Sequence, residues 1–111
     1  MIRIHIFRNQ QKDIVKYTVD GHANADKHGK DIVCAAISVL AQTMILGVHR
    51  ILSAEPEWKS ESGELICILP DNISIENRKQ INALLETMVL GFDNIRQQYP
   101  DLIKIYTKEV R

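Results

Sequence analysis

The chain has 111 residues, 14 basic and 14 acidic, with 45% hydrophobic and 25% charged residues, a composition and length that suit one domain with its own core. Balanced charge argues against a general nucleic-acid binder, and no run of about 18 apolar residues is expected to span a membrane. The opening MIRIHIFRNQ lacks a signal-peptide pattern, so export is not expected, and two cysteines far apart in sequence are expected as reduced thiols in the cytoplasm.

Ile2, Ile4 and Ile6 alternate with Arg3, His5 and Phe7, the period of a strand with one core face. The polar run Arg8 to Asp13 makes a turn, and Val15, Tyr17 and Val19 resume the alternation, so the two segments predict an antiparallel hairpin. Gly21 breaks the second strand. Gly21 to Lys30, GHANADKHGK, is polar, has Gly21 and Gly29 near its ends, and is expected to be a mobile loop. Asp31 is placed to cap a long helix, IVCAAISVLAQTMILGVHRIL, which Pro56 stops. That helix is apolar over most of its circumference and is expected to be central and buried, with Ala35, Ala36 and Ala41 letting strands approach closely. Glu57 to Ser62 and Glu64 to Leu69 flank Ser62-Gly63 as a second hairpin, and ELICIL, apolar on both faces, reads as a strand interior to the sheet. Ile81, Leu84, Leu85, Met88, Phe92 and Ile95 form an amphipathic helix ending before Pro100, and Leu102 to Val110 closes the chain as a strand. The order β-β-α-β-β-α-β predicts an α+β domain with an antiparallel or mixed sheet and two helices.

Chemistry concentrates around the polar loop. His22 ends a strand, and Cys34 is expected in the first turn of the long helix. Unpaired N–H groups and the dipole at a helix start favour a thiolate, which is the nucleophilic form. A histidine brought beside it can hold a thiolate–imidazolium pair and then protonate a leaving amine. First-turn N–H groups, that of Cys34 included, are candidate donors to an oxyanion. Ser38 lies four residues on, about 40° around the helix and one turn up. Asp31 is read as a cap or as a group orienting His22.

Plainer readings stand beside these. Free cysteines are among the most buried residues, so Cys34 also reads as a small core side chain. Cys67, inside an apolar strand, reads as structural. Ser38 also reads as a packing residue and Trp58 as a packing aromatic. His5 and His49 read as surface or satisfied histidines. Zinc on His22, His28 and Cys34 lacks an obvious fourth ligand, so no metal is expected. There is no C-x-x-C and no phosphate-binding glycine motif, so no redox or nucleotide cofactor is expected.

The combination GHA, a polar loop, then DIVCAAISVL resembles the ribosomal-processing cysteine proteases of the Prp (YsxB-like) family, and the resemblance extends over the whole chain. It implies a cytoplasmic endopeptidase that removes the N-terminal extension of a bacterial large-subunit ribosomal protein, the twenty-seventh. It implies His22 as general base and acid and Cys34 as nucleophile, with Gly21, Asp31 and Ser38 as supporting residues. It also implies a homodimer with the histidine–cysteine loop ordered by substrate, and no direct nucleic-acid or membrane partner. The alternatives are a non-catalytic assembly factor that binds the same ribosomal protein, and a structural dimer in which Cys34 is only core.

Overall fold

Alternation of isoleucine with polar and aromatic residues gives the first strand one buried face, and that face organises the rest. The computed structural model describes residues 1–21, 30–61 and 63–110. The elements are β1 (Ile2–Arg8), β2 (Ile14–Asp20), α1 (Lys30–Arg50), β3 (Glu57–Glu61), β4 (Glu64–Ile68), α2 (Ile75–Gln98) and β5 (Ile103–Glu109). This is the predicted order. The five strands form one mixed sheet in the order β3-β4-β2-β1-β5, with β5 parallel to β1 and every other pairing antiparallel. β4 is interior, as its two apolar faces predict.

Both helices cover one face of the sheet. Ile2, Ile4, Ile6, Tyr17, Leu65, Cys67 and Ile103 meet Val33, Ile37, Ala41 and Ile45 of α1 and Ile81, Leu85, Met88 and Phe92 of α2 in one core. The buried Tyr17 hydroxyl donates to the Ala41 carbonyl at 2.8 Å, tying β2 to α1. Arg8 of β1 makes a two-pronged pair with Glu86 of α2 at 2.5 and 2.8 Å. The helices approach closely at Gly91, where a Cβ would lie 2.6 Å from a Leu40 methyl.

Three expectations change. α1 is not buried all round: Val33, Ile37, Ala41, Ile45 and Val48 face the core, while Ile32, Val39 and Leu46 are exposed. With two layers, nothing among the described residues covers its outer side. Of the alanines expected against strands, Ala41 lies there, whereas Ala35 and Ala36 line an outer groove with Ile95. By length and composition, Ile32–Arg50 is apolar enough to cross a bilayer, contrary to the expectation that no such stretch exists; here its inner line packs in the core. α2 begins at Ile75, ahead of its apolar stripe, because the Ser74 hydroxyl accepts from the Asn77 N–H at 3.1 Å and caps a polar first turn.

Candidate active site

β2 runs out at Gly21, whose φ of +91° and close approach to the Met1 carbonyl leave no room for a side chain. Its N–H donates to the Gly63 carbonyl at 2.9 Å, joining the end of β2 to the turn between β3 and β4. α1 starts near this corner. Between them lies a pocket of about 220 Å³ lined by Gly21, Cys34, Ser38 and Gln42 on one side and Ser60, Glu61 and Glu64 on the other. Its floor is apolar, from Ile2, Val19, Ile37 and Leu65.

Cys34 is half-buried in this wall, unlike a purely internal cysteine. It is the fifth residue of α1, in the second turn rather than the first. At that position its amide reaches back to the carbonyl of Lys30, so it is not an orphan donor, and the oxyanion role expected of the Cys34 N–H fails. The open donors among the described residues are the amides of residues 30–32. Asp31 is corrected in the same way: the helix begins at Lys30, which places Asp31 inside the first turn and not at the cap. His22 and His28, with the rest of the expected loop before Lys30, lie outside the described residues.

Ser38 is exposed and lines the pocket one turn beyond Cys34. Gln42 extends the line by another turn and donates to the Ser60 hydroxyl at 3.4 Å, closing that end of the pocket between α1 and β3. Gln42 and the glutamates were missed. Gln42 had a signal, since Cys34, Ser38 and Gln42 recur every four residues as the polar line of an apolar helix. Glu61 and Glu64 share one cation, Lys59, at 3.6 Å from each. Their convergence comes from strand pairing, which local sequence does not display.

Cys67 is buried, across the ladder from Tyr17, and burial pushes its thiol up to about 11. It is a protonated core group at neutral pH. Trp58, expected to pack, is 59% exposed on the edge strand β3. His49 Nδ1 lies 3.3 Å from Glu55 at the end of α1. Among the described residues no three His, Cys, Asp or Glu side chains form a metal cradle.

Comparison with known proteins gives the class of the chain. The family model described as cysteine protease Prp matches residues 1–104. The ribosomal processing cysteine protease Prp of Bacillus subtilis is 28% identical over 109 residues, covering 96% of this chain and 97% of that one. The protein of the same name from Staphylococcus aureus is 24% identical, covering 97% and 100%. Among solved structures, the essential ribosomal processing protease Prp from S. aureus, in complex with a substrate peptide, superposes with a TM-score of 0.84 at 24% identity, over 97% of this chain and all of that one. SMU.848 from Streptococcus mutans superposes at 0.81 with 21% identity, over 99% of this chain and 96% of that one.

The class is therefore a cysteine protease on a small two-layer α+β domain. Within that class, the chain belongs to the family of the cysteine protease Prp.

Proposed function

We propose that this protease removes the N-terminal extension of a bacterial large-subunit ribosomal protein, the twenty-seventh, with Cys34 as nucleophile and His22 as its acid–base partner. One observation carries the reading: Cys34, Ser38 and Gly21, the residue directly before His22, line the same pocket. The names of the relatives support ribosomal processing, and a family structure that holds a substrate peptide supports a peptide site.

In this mechanism the Cys34 sulfur attacks the scissile carbonyl, and the C–N bond breaks as His22 protonates the departing amine. Water, deprotonated by His22, then hydrolyses the thioester. Amides at the start of α1 face the negative charge that develops on oxygen. Ser38 is placed to hydrogen-bond the peptide, Gly21 lets the strand end turn toward it, and Asp31 supports the helix start.

The protein works in the cytoplasm as a homodimer. The outer face of α1, with Val39 64% exposed and Ala35, Ala36 and Ile95 lining an apolar groove, supports association of two copies there.

The test is incubation with the host's extended precursor and mass measurement of the product. Wild type is expected to shorten the precursor at a single bond, and Cys34→Ala and His22→Ala are expected to leave it intact while folded. A precursor untouched by wild type, or one bound equally well by Cys34→Ser with no cleavage by either protein, would favour the assembly-factor alternative. Near-normal cleavage by His22→Ala would remove His22 from the dyad.

A further inference from the structure

The face of the sheet turned away from the helices carries a patch that proteolysis does not use. On β1, Arg3, His5 and Phe7 point there, opposite the buried isoleucines. Parallel pairing sets Lys104, Tyr106 and Lys108 of β5 beside them, and β2 sets Lys16 beside Phe7. The rings of Tyr106, His5 and Phe7 make a row. His5 and Tyr106 stack at 4.9 Å with planes 17° apart, and His5 and Phe7 lie 6.3 Å apart at 25°. The ammonium groups of Lys16 and Lys108 sit 5.0 and 5.8 Å from the Phe7 centroid.

The charge on this face is segregated. Among the described residues none of Lys16, Lys104 and Lys108 has a carboxylate within 4.0 Å, while Arg3 has Asp20 at 3.7 Å. The acidic groups Glu57, Glu61 and Glu64 gather around the single cation Lys59 on β3 and β4, on the far side of β2. A net charge of zero thus conceals a basic half-face built around aromatic rings.

We propose that this half-face binds a single-stranded nucleic acid, with phosphates on Lys16, Lys104 and Lys108 and a base stacked on the Tyr106 ring. An acidic peptide would pair with the lysines and leave the ring row unused. A bilayer surface calls for a longer basic cluster or an apolar wedge. Flat rings interleaved with uncompensated cations on an open sheet suit bases joined by phosphates, chemistry that RNA and DNA share. Such a contact would hold the protease near nucleic acid independently of its pocket.

The test is fluorescence anisotropy of a labelled 12-nucleotide oligouridine and its DNA counterpart, titrated with the full chain. Both strands are expected to bind, or one of them, which would identify the source. Three phosphate contacts at roughly 0.7 each predict a slope of log affinity against log salt near −2. Lys108→Glu is expected to weaken binding by about tenfold and flatten that slope by more than one contact's share, since it replaces attraction with repulsion. Tyr106→Ala is expected to weaken binding by about tenfold with the slope unchanged, and Tyr106→Phe to retain it. Both exposed-site variants should cleave precursor normally, and Cys34→Ala should bind the oligonucleotide normally, which separates this proposal from the catalytic one. Absence of wild-type binding, indifference to both substitutions, or binding abolished by polyglutamate or anionic vesicles that themselves bind more tightly would overturn it.

Discussion

Cys67 lies on the helix-facing side of β4 with its thiol against Tyr17, and its ionisation links one residue to the stability of the fold. An unfolded thiol ionises near pH 9, whereas burial holds this one protonated to about 11. Below pH 9 both states keep the proton and nothing is lost. Between about 9 and 11 the unfolded chain releases it and the folded chain does not, so stability falls by up to about 2–3 kcal/mol as pH rises. Urea titrations across that window should show a steeper fall for wild type than for Cys67→Ala; equal falls would acquit the thiol. At neutral pH Cys67→Ala should cost on the order of 1–2 kcal/mol and leave proteolysis intact. The contrast between the two cysteines was legible, because apolar alternation surrounds Cys67 and a polar loop precedes Cys34. The exact helical position of Cys34 was not, since two extra residues at the start of α1 move it from the third position to the fifth.

At the scale of elements, periodicity located both helices and misjudged their edges. The apolar stripe that marks α2 starts only at Ile81, because the first turn, with exposed Ile75 and Glu76, has no apolar rhythm to detect. The cap at Ser74 sets the true start. Ser74→Ala should therefore cost about 1 kcal/mol, read from the denaturation midpoint, with the core untouched; an unchanged midpoint would show that the turn before it suffices. α1 posed the opposite problem. Apolar residues on every side give no period from which to choose an inward face. Packing chose the line through Val33, Ile37, Ala41, Ile45 and Val48, and the exposed remainder is the best candidate for a contact between copies.

For the whole molecule, strand content was legible and strand order was not. Hairpins announce themselves through local turns, but the pairing of β2 with β4 and of β1 with β5 depends on where two helices lie, which no short window contains. The pocket inherits that dependence, because Ser60, Glu61 and Glu64 reach it only through the sheet. Assembly is testable at the same scale. Wild type should sediment as a dimer at micromolar concentration, and Val39→Asp, which places a charge in the outer face of α1, should sediment as a monomer with unchanged secondary structure. A monomeric wild type would sink the dimer assignment.

The parallel seam between β1 and β5 joins segments about a hundred residues apart. During synthesis the first strand must wait with one flank unfilled until Ile103–Glu109 leave the exit tunnel. Closure of that flank is a late event in the life of each molecule. The aromatic–lysine row shares this timing, since half of it rides on the final strand, so a nascent or truncated chain would present neither a finished sheet nor a complete basic face.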